Sequence, residues 1–419
     1  MRHRLAALLL PLALALLPAR APAAPAPWAS GQSRAEDLIV KLATMEPGDE
    51  LYTWWGHTAL IVEDVRLRLS RFYNYGLFSF DQENFFVNFA MGRLWFQVGA
   101  SPTASELAAY KAMNRTIRIQ TLDLPPERRL ELAAFLEWNI LPENRTYLYD
   151  HYKDNCATKV RDLIDRMVDG RLYEATSGPG RQTLRQHTRR YTAGHFLMNW
   201  LLMFLMSGVI DRPIRQWDEM FLPLEVERDV AALVYADPQG ARRRLVSSEA
   251  LYYQARGRQP VPERPPAYWP QALAIGLGLA LAGLGLAAWR RRGGGAARVV
   301  SGLYESLLGL LLGLPAAVLA FMSWFTNHTV TYGNRNLLAA NFGILLALPL
   351  GIALAAGARR AGKALAALWT LNLLLGLAAL VLQIFPAIRQ DNWLTVAVLL
   401  PVQAALAFGW LRELRAPKR

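Results

Sequence analysis

The chain has 419 residues, with 46 Lys+Arg against 33 Asp+Glu, a formal net charge of +13 and one cysteine. The charge excess does not mark a nucleic-acid binder: residues 28–265 hold 30 basic and 30 acidic side chains, and the surplus sits at the two apolar ends. A lone cysteine excludes an internal disulfide, and with scattered histidines it lacks the ligand spacing of a zinc site, so neither metal nor cofactor is expected.

In chain order, residues 1–24 read as a secretory signal. Arg2, His3 and Arg4 give a positive start, Leu5 to Leu17 an apolar run too short to span a bilayer, and Ala19, Ala21 and Ala23 small-residue cleavage options. No cysteine lies near the cleavage region, so the chain is not expected to be a lipoprotein itself. Thr58 to Val65 and Phe72 to Phe78 are aromatic or β-branched runs that read as adjacent strands, with His57 at the head of the first and Asn74 on the second. A helix is predicted near 103–113, capped by Ser105 or Thr103. A half-buried strand follows over Thr116 to Leu124, and then a helix opened by Pro125-Pro126.

Cys156 begins the next helix, with Val160, Leu163, Ile164 and Met167 on one face, Asp154 or Asn155 as cap and Gly170 as stop. First-turn amides and the helix dipole there favour a thiolate. A basic stretch with Arg181, Arg185, Arg189 and Arg190 follows, with His187 and His195 expected at a surface or interface. Phe196 to Ile210 is strongly apolar but short, and reads either as a core helix or as an interfacial or acyl-chain-binding helix. Residues 257–270 form a Pro- and Arg-rich linker. No Gly-rich phosphate loop and no Gly-x-Ser-x-Gly elbow occurs.

Apolar stretches at about 271–289, 300–324, 337–356, 364–385 and 394–411 each approach the ~20 residues needed to cross a bilayer. With the preceding segment outside, the inside loops hold Arg290, Arg291, Arg292, Arg298, Arg359, Arg360, Lys363, Arg412, Arg415, Lys418 and Arg419. The outside loops hold only Arg335 and Arg389. That asymmetry predicts five spans with the carboxyl terminus in the cytoplasm.

An unpaired thiol in an oxidising compartment is a liability unless its reactivity is used. A cysteine nucleophile needs a base, a group orienting the base and donors for an oxyanion. His57 offers the base, with His151 as a rival close in sequence. Asn74 offers the orienting amide, and the Cys156 backbone N–H an oxyanion donor. On these residues a thiol enzyme, such as an exported cysteine peptidase or amidase acting on peptidoglycan, stands beside a non-enzymatic membrane protein with Cys156 as a structural thiol.

The segments WWGHTAL, FYNYG, ENRTYLYDHYKDNCATKVRDLI and DEMFLP resemble the periplasmic domain of the Lnb-type lipoprotein N-acyltransferases over most of residues 35–225. The five spans and the FTNHTVTYGNRNLL loop resemble that family's membrane half. The order His, polar residue, Cys resembles circularly permuted papain-like enzymes such as lecithin:retinol acyltransferase. The resemblance implies an α+β permuted papain-like periplasmic domain with a helical appendage over 28–265, followed by an all-α five-helix transmembrane domain over 270–412. It implies Cys156 as nucleophile, His57 as base and Asn74 as the orienting residue. Tyr73, Asn155, Tyr152 and Lys159 become substrate contacts, and His328, Asn334 and Arg335 contacts to headgroup or lipoprotein backbone. The implied partners are a membrane phospholipid as acyl donor, diacylated lipoproteins as acceptor, and the lipid bilayer, with no nucleic acid. The implied location is the bacterial inner membrane, with the catalytic domain in the periplasm.

Overall fold

The computed structural model describes residues 26–78, 84–236 and 240–415. The expected signal over 1–24, and Lys418 and Arg419, lie outside the described residues. The chain divides into two compact units. One holds the residues up to Gln182 together with Pro213–Pro260, the other Thr183–Arg212 together with Val261 onward.

The first unit is built on a seven-stranded antiparallel sheet. Its strands are β1 (Leu38–Met45), β2 (His57–Asp64), β3 (Leu69–Leu77), β4 (Trp95–Pro102), β5 (Ile117–Leu122), β6 (Thr146–Leu148) and β7 (Val246–Tyr253). They lie in the order β6-β4-β3-β2-β1-β5-β7. Side-chain alternation feeds two cores. Leu60 and Val62 of β2 and Tyr73 and Tyr75 of β3 enter one core, while Ala59, Ile61 and Phe72 enter the other. Among the helices of this unit are α1 (Thr103–Ala112), α2 (Pro126–Asn139) and α3 (Cys156–Met167). Ala157, Val160, Ile164 and Met167 bury one face of α3 in the first core, and each of the three larger side chains contributes ~1.5–3 kcal/mol. At α1 the cap position is taken by Pro102, not by Thr103 or Ser105. Thr103 instead accepts a 2.7 Å hydrogen bond from Ser70.

The second unit is helical. Residues 183–212, which fall inside the 28–265 span, belong to it. They carry α4 (Leu184–Tyr191) and α5 (Phe196–Leu205). Five helices long and apolar enough to cross a membrane follow, at Trp269–Arg291, Gly295–Phe325, Asn336–Ala355, Ala361–Ile384 and Trp393–Arg415, matching the spans read from the sequence. Small residues let two of them touch backbone to backbone: a Cβ built on Gly302 would lie 2.3 Å from the Gly351 carbonyl oxygen. The short apolar segment is a packed helix. Phe204 and Met203 of α5 enter buried clusters, and the Asn334 amide donates to the Phe204 and Leu205 carbonyls at 3.0 and 2.9 Å. The basic stretch before it is consumed by pairing: Arg185 pairs with Asp211, and Arg189 lies 2.7 Å from Asp391. His187, expected at a surface, is fully buried beside Arg190 because α4 turns that face inward; His195 is exposed.

Candidate active site

The site grows from the α3 N-terminus. Asn155 is its cap: Oδ1 accepts from the Ala157 and Thr158 amides at 2.8 and 3.0 Å, and the Thr158 hydroxyl accepts from the Asn155 amide at 2.8 Å. The Asn155 Nδ2 donates to the His151 carbonyl at 2.7 Å and the Phe221 carbonyl at 2.9 Å. The cap therefore ties the cysteine's turn to the distant DEMFLP segment. Arg161, one turn into α3, reinforces that tie: it donates to the Trp217 carbonyl at 3.0 Å and lies 3.9 Å above the Trp217 ring. These contacts give structural reasons for several of the shared motif residues.

His57 begins β2, and Asn74 lies on the neighbouring β3. The register of β2 and β3 pairs Leu60 with Tyr73. Continued toward the strand ends, it sets Asn74 diagonal to His57 on one face. The Asn74 Oδ1 lies 2.7 Å from His57 Nε2. A carbonyl oxygen only accepts, so Nε2 carries the proton and Nδ1 keeps its lone pair. The Tyr110 ring stacks on the imidazole at 6.0 Å between centroids.

The sequence-separated parts meet at Gly76. Its φ of +104° is a conformation that favours glycine, and a Cβ built there would lie 3.7 Å from His57 Cε1 and 3.9 Å from Cys156 Cβ. The imidazole and the cysteine are thus neighbours across one glycine. Cys156 as a whole residue is half-buried. His57, Asn74 and Cys156 are brought together.

The electrostatics differ from the expected thiolate. Burial pushes the Cys156 thiol up, outweighing the amides of Thr58, Ala157 and Cys156 and the charge of Arg115, all of which favour the thiolate. Burial, with Arg115 second, pushes His57 down to about 4 against the support of Asn74. The resting pair is a neutral thiol beside a neutral imidazole. Burial wins because the surrounding wall is protein: Tyr110, Tyr147 and Tyr149 each feel the charge of Cys156. Arg115 and the Thr58 amide were missed from the sequence. Arg115 is buried, donates to the Glu46 carbonyl at 2.7 Å and sits 5.0 Å over the Tyr110 ring. No local pattern marks it.

Other expected contacts go elsewhere. Tyr73 faces the opposite side of β3 from Asn74 and donates to Glu137 at 2.5 Å within the core. Asn155 is occupied by capping, and Tyr152 is buried with its ring 5.0 Å from that of Phe221. Lys159 stays at the site's edge, 2.8 Å from Asp154 and 4.9 Å over the Tyr147 ring. The rival base His151 has its Nδ1 3.3 Å from the Tyr149 hydroxyl and its ring 4.8 Å from that of Trp55. His328, Asn334 and Arg335 belong to the second unit. There His328 lies 2.8 Å from the Thr326 hydroxyl, Asn334 caps α5, and the Arg335 amide donates to Gln390 at 2.9 Å. Among the described residues no group of three or more His, Cys, Asp or Glu is placed to hold a metal.

Residues 24–190 match the family described as the Lnb N-terminal periplasmic domain. The chain carries an Lnb-type periplasmic domain. That domain holds all three residues of the constellation, and the five apolar helices follow it in the chain. No curated protein and no solved structure gives a significant match to the chain.

Proposed function

We propose that this protein is a lipoprotein N-acyltransferase of the inner membrane, with its Lnb-type domain in the periplasm and its carboxyl terminus in the cytoplasm. The observation that carries the reading is the Cys156–His57–Asn74 constellation in an Lnb-type domain that is followed by five apolar helices. One helix suffices to anchor a soluble hydrolase, whereas substrates that never leave the bilayer suit a polytopic enzyme.

In this mechanism Cys156 Sγ attacks an ester carbonyl of a membrane phospholipid as its proton passes to His57 Nδ1, with Nε2–H held by Asn74. The developing oxyanion is met by the Cys156 amide and by the Thr58 amide, aided by Arg115. The ester C–O bond breaks, the leaving lysophospholipid oxygen takes the proton from His57, and an acyl thioester remains on Cys156. The α-amine of a diacylglyceryl-cysteine then attacks that carbonyl. The C–S bond breaks, an amide forms and the amine's proton returns through His57 to the sulfur.

The deciding experiment is complementation of cells deprived of their own lipoprotein N-acyltransferase. The full chain should restore the third acyl chain on lipoproteins, and Cys156→Ala should not. Incubation with labelled phospholipid should leave label on Cys156 that neutral hydroxylamine releases. Cleavage of peptidoglycan peptides with no thioester formed would replace this reading with the peptidase.

A further inference from the structure

The first unit exposes an apolar face that a water-facing domain has little reason to keep. The short helix Phe85–Ala90 leaves Phe86 76 %, Val87 62 % and Phe89 55 % exposed. No charged side chain occurs from Asn84 to Gly92. A turn after the helix, in which the Arg93 amide donates to the Asn88 carbonyl at 2.8 Å, leads into β4. The helix lies in the connection from β3 to β4; Tyr52, 66 % exposed and just before the Trp54-Trp55-Gly56-His57 segment, packs its ring on Phe78 at the start of that connection.

From Tyr52 a series of rings runs inward. Tyr52 lies 6.2 Å from Phe78, Phe78 lies 5.2 Å from Phe96, and Phe96 stacks on Tyr149 at 4.3 Å between centroids. Tyr149 is one of the hydroxyls that feel the Cys156 charge. The wall therefore begins at an exposed ring and ends at Tyr149, next to the Asp150–Asp154 bridge that leads into α3 and Cys156. Uncharged Phe, Val and Tyr exposed on a short element suit the boundary of headgroup and acyl chains, where apolar rings enter the lipid and the Asn and Tyr polar groups stay at headgroup level.

We propose that Phe86, Val87, Phe89 and Tyr52 dip into the membrane surface, and that the rings of Tyr52, Phe78, Phe96 and Tyr149 guide one acyl chain of a bilayer lipid to Cys156. The proposal rests on the acyltransferase reading for its chemistry but not for the docking itself.

Cys156→Ala leaves the full chain free of cysteine, so Val87→Cys in that background takes a single environment-sensitive fluorophore. Glu174→Cys, with a side chain 70 % exposed, serves as reference. In phosphatidylethanolamine–phosphatidylglycerol proteoliposomes the position-87 probe should shift to the blue and be quenched by lipids brominated on the acyl chain, with neither effect at position 174. Equal responses at the two positions overturn the docking. So does protection at 87 that depends on protein density without bromolipid quenching, which would put a second copy of the chain there. In the otherwise native protein, Phe86→Ser with Phe89→Ser should slow thioester formation from vesicle phospholipid roughly tenfold or more, and leave Cys156 alkylation by iodoacetamide within about twofold. Unchanged acylation from vesicles would remove the acyl-chain route. Quenching at 87 in a protein that never forms a thioester would keep the docking face and remove the acyltransferase reading alone.

Discussion

Asn74→Asp tests the neutrality of the catalytic pair most directly. The substitution replaces an amide oxygen 2.7 Å from His57 Nε2 with a carboxylate oxygen. Opposite unit charges about 4 Å apart attract by about 4 kcal/mol at an effective dielectric of ~20, which is about three pKa units at 1.36 kcal/mol each. His57, held at about 4 by burial and Arg115, would climb to roughly 7. Because Cys156 is the sole cysteine, every iodoacetamide adduct reports on one sulfur. The wild-type alkylation rate should show an inflection near 4 and then only a steady rise toward the elevated thiol titration. The Asn74→Asp profile should gain an inflection near 7, where an imidazolium begins to stabilise the thiolate. Asn74→Ala should show neither inflection near 7 nor gain in rate. A wild-type inflection at an unperturbed histidine value, or an Asn74→Asp profile parallel to wild type, would refute the claim that burial keeps this pair uncharged.

Three further outcomes follow from the same geometry. Gly76→Ala forces a side chain onto a φ of +104°, which should cost ~1–3 kcal/mol of stability. Its methyl would also stand between His57 and Cys156, so alkylation should slow by more than the unfolding midpoint accounts for. Asn155→Ala removes the partner of two amides and of two carbonyls, so a loss of ~1–2 kcal/mol or more is expected from thermal melting, and Asn155→Asp should recover the amide side only. His57 and His151 are each pushed down to about 4 by burial. The unfolded chain then binds more protons than the native one between about pH 6.5 and 4. Stability is full above that window and falls by on the order of 3 kcal/mol per histidine as pH drops through it. Melting temperature against pH, with His151→Phe flattening part of the slope, checks this.

What the sequence made legible follows the range of the interactions. The α3 start was readable because a cap, a capping partner three residues on and a helical apolar stripe all act within one turn or two. The diagonal of His57 and Asn74 was readable because their two strands are neighbours in the chain. Strand alternation alone sends Tyr73 to the face of β3 opposite Asn74, and it lies in the first core. By contrast, β1, the strand between β2 and β5, earned no notice, because its place depends on pairings set by the whole sheet. Asn334 looked like a polar loop residue; its partners are helix-end carbonyls about 130 positions earlier. The raised thiol was hidden because the first-turn amides are local, whereas the wall around the sulfur includes Tyr110 of α1 and Tyr147 and Tyr149 at β6.

That burial bears on the fate of the proposed thioester. A base of pKa about 4 is a poor activator of water, because general-base efficiency falls as the base weakens relative to the operating pH. A lipoprotein α-amine, with an ordinary pKa of about 7.7–8.0, is partly neutral at pH 7 and attacks an acyl carbonyl unaided. It must lose its proton only after the C–N bond has begun to form, when the nitrogen is cationic and strongly acidic, and even a weak imidazole suffices then. The weak base thus slows hydrolysis more than aminolysis. Raising His57 should undo the preference. With labelled phospholipid and a diacylated lipopeptide, Asn74→Asp should increase the ratio of free fatty acid to N-acylated product, whatever happens to the total rate. A ratio unchanged while the His57 inflection has moved to near 7 would mean that water is kept out by the walls of the site, and that the basicity of the imidazole plays no part in choosing the acceptor.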